Sequence, residues 1–346
     1  MTAPVHLVVP RGVDDPASPS GGNVYDRRLA DGLRARGRRV HEHHTVPAGL
    51  DATLATIPDG ALALVDGLVG CFAAAAMERH AARLRLVVLA HMSFGEVGDE
   101  EARQGEERAL AAADLVVTVS SWTRERLLAR YSLDPVRVHV AEPGADPAPL
   151  ATGTKSGERL LSVGAVTPAK GWAVLLEALR RVTDLDWACT CVGSLDREPS
   201  FAAQVRETAP EAVSFTGPLV GPDLVAAYDA ADLLVVPTLA ESFGIVAVEA
   251  LARGIPVVAS DVGGLPEALG RLPEGRVPGC LVPPGDAGTL AAALRTWLTD
   301  PGIRSSLRSA AAERRTTVGT WEATAASVDA LLDVEAARPS LTGAAR

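Results

Sequence analysis

Short apolar runs recur along this chain, and each is followed by a loop and then by a segment of helical spacing. In the first half they fall at residues 5–9, 61–65, 86–90, 115–119 and 136–140, with a further strand around Val40. In the second half they fall at 160–163, 187–192, 213–215, 233–236, 256–259 and 281–282. Runs this short and this uniformly apolar suit strands buried on both faces, and strands that alternate with helices predict a parallel, doubly wound sheet. The helices between them read clearly: one starts at Asn23, carries Val24, Leu29 and Leu33 on its apolar side and ends at Gly37, and others cover 100–113, 122–131 and 172–182. The alternation breaks once, at Glu142-Pro143-Gly144-Ala145-Asp146-Pro147 and the polar run 152–157, which reads as a linker. The fold class is therefore α/β, with two Rossmann-like doubly wound domains, 1–150 and 151–318.

Bulk properties exclude several classes. A chain of 346 residues exceeds what one core usually holds, and 47% apolar with 22% charged residues is ordinary for a globular enzyme. A net charge of −10 without a basic stripe argues against a nucleic-acid partner, and no run reaches the length of a membrane span. Membrane association is not indicated, and the N-terminus enters a strand with no charged leader, so a cytoplasmic protein is expected. Cys71, Cys189, Cys191 and Cys280 form no C-x-x-C pair and read as reduced thiols. His41, Glu42, His43 and His44 would be split between two strand faces, which reads as a solvated strand end and not a metal site.

One strand-to-helix passage concentrates polar chemistry. After the run 233–236 come Pro237, Thr238, Leu239, Ala240, Glu241, Ser242 and Phe243, and a helix begins at about Gly244. Glu241 lies in the loop, Glu249 about a turn and a half into the helix, and the amides of Gly244, Ile245 and Val246 in between. A helix start takes a phosphate and carboxylates take hydroxyls, so the passage fits a nucleotide sugar. The loop Ser260-Asp261-Val262-Gly263-Gly264 offers a second surface of close approach beside Glu241. In doubly wound sheets the loops at the carboxyl ends of strands carry the chemistry, which singles out Gly21 and Gly22, Asp66, His91, Ser120 and Lys170. Taken alone, the glycine pair also suits an ordinary turn, His91 a hydrogen-bonded structural histidine, and Lys170 a solvated surface. The pair is not G-x-G-x-x-G, which counts against a dinucleotide cofactor.

Taken together, the residues resemble glycosyltransferase family 4, retaining enzymes of the GT-B architecture. Glu241 and Glu249 stand in P-T-L-A-E-S-F-G-I-V-A-V-E-A-L-A-R-G-I-P, similar to the family's E-x7-E segment. Ser20-Gly21-Gly22, His91, Pro143-Gly144-Ala145-Asp146, the loop 164–171 and Phe215-Thr216-Gly217-Pro218-Leu219 resemble other family segments in the right order, and the likeness is thinnest over 41–85. It implies an N-terminal acceptor-binding domain facing a C-terminal nucleotide-sugar domain, a helix at 319–335 packing back on the first, and a mobile tail at 336–346. It also implies roles. Glu249 holds the ribose; Glu241, with the backbone of Phe243 and Gly244, holds the donor sugar. Ile245, Val246, Gly22 and Lys170 meet the diphosphate, His91 the sugar near its reacting carbon, and Leu219 the base, with Gly21 and Ser242 among the donor-binding residues. His91, Lys170 and Glu241 are the expected catalytic residues.

The family usually has arginine where this chain has Ala165, a second cation on the leaving diphosphate. Either another cation substitutes, Arg11 being the candidate, or the donor is bound differently, or activity is reduced. No convincing D-x-D loop appears, since Asp14-Asp15 reads as solvated, so neither metal nor cofactor is expected. The implied activity is a retaining, metal-independent transfer from a nucleoside-diphosphate sugar, a UDP-sugar first and GDP-mannose next. The acceptor is an unspecified small molecule, glycan or lipid, met by the loops 11–20, 66–72 and 92–98. A sugar phosphorylase, a solute-binding protein and a degenerate nucleotide-sugar binder with Ala165 are the competing readings.

Overall fold

Val, Leu and Ala dominate the runs that become strands, and burial on both faces removes any need for a polar alternate. β3 (Leu62–Asp66) and β10 (Leu233–Val236) are buried at every position. The computed structural model describes residues 3–338. The remaining strands of the first sheet are β1 (Val5–Pro10), β2 (Val40–Thr45), β4 (Arg85–Ala90), β5 (Leu115–Thr118) and β6 (Val138–Val140). The order is β2-β1-β3-β4-β5-β6. The second sheet adds β7 (Arg159–Val163), β8 (Ala188–Val192), β9 (Val213–Gly217), β11 (Val257–Ser260) and β12 (Gly279–Val282), in the order β9-β8-β7-β10-β11-β12. All neighbouring pairs are parallel. Each order contains one point where successive strands depart in opposite directions, between β1 and β3 in one sheet and between β7 and β10 in the other. Loops there part and leave a crevice, which is where ligands of such sheets bind.

Two compact units result. Residues 3–14, 22–143 and 321–338 form the first, and residues 15–21 with 144–320 form the second. The chain thus changes unit at Pro143-Gly144, inside the expected linker, and again at Thr320-Trp321. The helix Trp321–Ala337 belongs to the first unit, with Val328 and Leu332 fully buried. Gly32 lets it approach the helix Gly21–Ala35, since a Cβ there would lie 2.4 Å from the Ala325 Cβ. It runs past the expected end at 335; residues 336–337 are helical, and the rest of the expected tail, 339–346, lies outside the described residues.

Two local expectations need correction. Gly21 and Gly22 open the helix Gly21–Ala35 and are not part of the preceding loop. The next helix of interest runs only over Ile245–Leu251 with Gly244 as its left-handed cap, so Glu249 stands about one turn in. The histidines divide as strand alternation requires. His41 and His43 stack on His6, with centroids 4.9 and 5.2 Å apart, and His44 turns to Glu42. Cys189 and Cys191 are free and buried. Among the described residues, no helix is long and apolar enough to cross a membrane.

One buried charge ties the Trp321–Ala337 helix down. Arg38 has no exposed side-chain surface; its Nε donates to Asp329 Oδ1 at 2.6 Å, and its Nη2 pairs with Asp333. Arg36 adds a 3.0 Å bond to Asp329 Oδ2. Replacing Arg38 by Met leaves Asp329 buried with only Arg36, and breaking a buried pair typically costs about 3–5 kcal/mol, so a loss of roughly 2–4 kcal/mol is expected by chemical denaturation.

Candidate active site

In the second unit the loops after β7 and β10 meet at the strand-order switch. Backbone contacts hold them: the Leu239 amide donates to the Ala169 carbonyl at 2.8 Å, and Thr238 Oγ1 donates to the same oxygen at 3.0 Å. Gly171 (φ +71°) is packed so tightly that a Cβ would fall 1.9 Å from the Pro237 carbonyl oxygen. The result is an ion pair, Lys170 Nζ donating to Glu241 Oε2 at 2.7 Å, with the side chains 36% and 18% exposed. Trp172, buried below, donates from Nε1 to the Ala165 carbonyl at 2.9 Å and fixes the loop at the position where arginine is usual.

The Gly263-Gly264 pair does something other than admit a ligand. A Cβ on Gly263 (φ +62°) would lie 1.6 Å from the Glu241 carbonyl oxygen, and one on Gly264 would lie 2.3 Å from that of Ser242. The glycines therefore admit the backbone of the Glu241 loop itself, and the Gly264 amide donates to the Glu241 carbonyl at 3.1 Å. Phe243 is buried beside them. One turn into the Ile245–Leu251 helix, Glu249 Oε2 accepts from the hydroxyl of buried Tyr228 at 2.7 Å, and Arg253 covers the Tyr228 ring at 4.9 Å. Val246 lies in the first turn of that helix, and Leu219 is half-buried in the loop after β9. Gly21 groups with this unit, where a Cβ would meet Ile245 Cδ1 at 3.4 Å. Sequence reasoning missed Tyr228.

In the first unit, the other expected residues gather around His91, which directly follows β4. Its Nε2 donates to Asp26 Oδ1 at 2.9 Å and to Asp66 Oδ2 at 3.2 Å. Asp66 ends β3 and caps the following helix, its Oδ1 accepting from the amides of Leu68 (2.7 Å) and Val69 (3.3 Å). Gly22 passes over the ring, so that a Cβ would lie 3.3 Å from His91 Cδ2, and Tyr25 meets it edge-on at 5.0 Å. Nδ1 of His91 and Oδ2 of Asp26 are buried without a partner. Asp26 was not singled out from the sequence, yet it left a trace: a carboxylate on the stripe of Tyr25, Leu29 and Leu33, the buried face of its helix. Ser120 is a structural cap, accepting from the Thr123 amide at 3.0 Å.

Burial favours the neutral form of both members of the pair, but the two carboxylates win for His91. Although burial disfavours the imidazolium, the charge and hydrogen bond of Asp26 and then of Asp66 lift its pKa from 6.5 to about 10. Burial raises Asp26 to about 6, with the His91 charge opposing and Asp66 adding to the rise. Among the described residues these three are the group whose metal-ligating atoms lie within 4.8 Å of one another, so a proton and a divalent ion would compete for one space. Both raised values favour folding at low pH. The Asp26 contribution is lost between about pH 4 and 6, and the His91 contribution is intact below 6.5 and lost as pH rises toward 10. An NMR titration of metal-free protein is expected to find His91 still an imidazolium at pH 8, and Asp26→Asn to bring its titration down; a neutral ring at pH 8 would refute the assignment.

Comparison with known proteins supplies the family. A family model described as "Glycosyltransferase Family 4" matches residues 64–149, and one described as "Glycosyl transferases group 1" matches 157–300. The D-inositol 3-phosphate glycosyltransferase of Salinispora arenicola is 36% identical over 277 residues, covering 71% of this chain and 60% of the relative. One from Catenulispora acidiphila is 34% identical over 265 residues, covering 69% and 62%. The chain thus spans about three fifths of the length of these relatives. Among solved structures, sucrose-phosphate synthase from Thermosynechococcus elongatus superposes with a TM-score of 0.78 at 24% identity, covering 95% of this chain and 98% of that one. Anabaena HepE in complex with UDP-glucose gives 0.76 at 19%, covering 95% and 99%. The structural likenesses speak for the GT-B fold alone. With two family models on successive parts of one chain, and relatives above 30% identity, the chain belongs to glycosyltransferase family 4.

Proposed function

We propose that this protein is a retaining, metal-independent glycosyltransferase that moves a sugar from a nucleoside-diphosphate sugar to an acceptor hydroxyl. The observation that carries the reading is the Lys170–Glu241 pair at the β7/β10 switch, followed by a helix that carries Glu249, held by Tyr228, in its first turns. A cation suited to a diphosphate beside carboxylates suited to hydroxyl groups, in the crevice where such sheets bind ligands, supports the reading. The UDP-glucose named for the HepE structure supports a uridine donor.

In the reaction, the bond between the anomeric carbon and the diphosphate oxygen breaks as the acceptor oxygen bonds to the same face of that carbon. The acceptor proton passes to the departing diphosphate. Negative charge grows on the diphosphate, where Lys170 is the cation that stabilises it, and a fixed charge close to growing charge is the most effective kind of catalyst. Glu241 orients sugar hydroxyls, Glu249 the ribose, and Ile245, Val246 and Leu219 complete the nucleotide contact. His91, oriented by Asp26 and Asp66 on its Nε2, is the residue assigned to the sugar near its reacting carbon. Arg11 takes the place of the arginine absent at Ala165. That absence also favours a second reading, a binding protein without turnover, which slow hydrolysis of UDP-glucose without acceptor would exclude.

Steady-state kinetics with UDP-glucose test the site. A charge-assisted contact is worth about 1.5–3 kcal/mol, so Lys170→Ala is expected to lower kcat/KM roughly 10- to 150-fold. Glu249→Gln is expected to act mainly on donor KM, and chelator to leave the rate unchanged. Lys170→Ala turning over at the native rate would remove the site assignment, and inversion at the anomeric centre would remove the mechanism.

A further inference from the structure

The carboxyl edge of the first sheet carries two features that the donor chemistry does not use. The first is a charge deficit. The segments after β3, β4 and β5 (67–76, 91–99 and 119–123) contain no lysine or arginine. Their one cationic group is His91, which is outnumbered by Asp26 and Asp66 in the same cluster. Further along, Arg124 donates to the Val138 and Pro135 carbonyls, and Arg126 and Arg130 are engaged by Glu96. Arg11, after β1, is assigned above to the donor. A phosphate monoester arriving at the segments after β3, β4 and β5 would find no lysine or arginine on them, and beneath them a buried cluster of one imidazole and two carboxylates.

The second feature is an exposed apolar face on a rigid mount. Leu68 and Phe72 are 49% and 51% exposed, and they stand four residues apart along the helical stretch 67–73, on one side of it. Phe72 packs edge-on against Phe94, with centroids 5.1 Å apart. The mount leaves little slack. Asp66 caps the stretch, and a Cβ on Gly67 would fall 2.8 Å from the Leu89 carbonyl oxygen. Buried Glu106 accepts from Ser93 Oγ (3.0 Å), from the Phe94 and Gly95 amides (2.9 and 2.8 Å) and from the Tyr131 hydroxyl (2.6 Å). Two large apolar side chains are thus held in water by a fixed frame, on the segments that carry Asp66 and His91.

We propose that the acceptor is a neutral molecule with an apolar aglycone, which lies on the Leu68–Phe72 face, and that it is not a phosphate ester. This rests on the transferase reading and departs from the acceptor that the names of the relatives carry, D-inositol 3-phosphate. An aryl ring on Phe72 and Leu68 removes apolar surface from water on both sides, and the sugar hydroxyl that accepts transfer is left near the His91 cluster.

Titration calorimetry on the full chain tests this without turnover, with p-nitrophenyl β-D-glucoside and D-inositol 3-phosphate as probes, each with and without UDP. The aryl glucoside is expected to bind roughly tenfold or more tighter than the phosphate ester, and Phe72→Ala to weaken it by about fivefold or more while UDP affinity stays at the native level. Leu68→Glu serves as a second variant on an exposed site, with the same expectation. Tighter binding of the phosphate ester, or an aryl-glucoside affinity that neither variant moves, overturns the proposal. Donor turnover is read separately: absence of UDP-sugar turnover counts against the transferase, whereas loss of aryl-glucoside binding counts against this acceptor.

Discussion

Nothing wider than a hydrogen fits between Gly263 and the carbonyl oxygen of Glu241, or between Gly171 and that of Pro237. These two backbone contacts set the position of the loop after β10 from opposite sides. Lys170 is next to one of them, and Glu241 is part of the other. The ion pair between them is a consequence, because long charged side chains do not hold one geometry at a half-exposed position unless their stems are fixed. In this unit the glycines do the placing, and the charged groups follow.

The two units solve the same assembly problem in different orders. Both alternate strand and helix, yet β1 has β2 and β3 as neighbours, while β7 has β8 and β10. In each case the crevice opens beside the first strand of the unit, and the polar groups collect there: His91, Asp26 and Asp66 near one, Lys170 and Glu241 at the other. The chemistry of the two differs accordingly. The first cluster is a buried imidazole between two carboxylates, poor in cations; the second is a half-exposed lysine with one carboxylate.

Much of this was legible in the sequence, for identifiable reasons. Uniform apolar runs reported the doubly buried strands, and the loop positions of Glu241 and Lys170 followed from them. What stayed hidden depended on knowing which atoms come close. Glycine 263 signals that something approaches without saying whether that is a ligand or the chain itself, and here it is the chain. Tyr228 looks like any aromatic on an apolar stripe until its hydroxyl is seen on Glu249. Asp26 stood on such a stripe, and only its pairing with His91 explains a carboxylate there. Strand order was also unreadable, because alternation gives direction and count but not neighbours.

The helix Trp321–Ala337 completes a unit whose other parts precede residues 144–320, which make up nearly all of the second unit. During synthesis the second unit can close as soon as it leaves the ribosome, since its residues are nearly continuous. The first cannot: Arg38 waits for Asp329 and Asp333, which are made 291 and 295 residues later. Until then the helix surface at Gly32 lacks its Ala325 partner, and a helix made after the second unit is the one that closes the first.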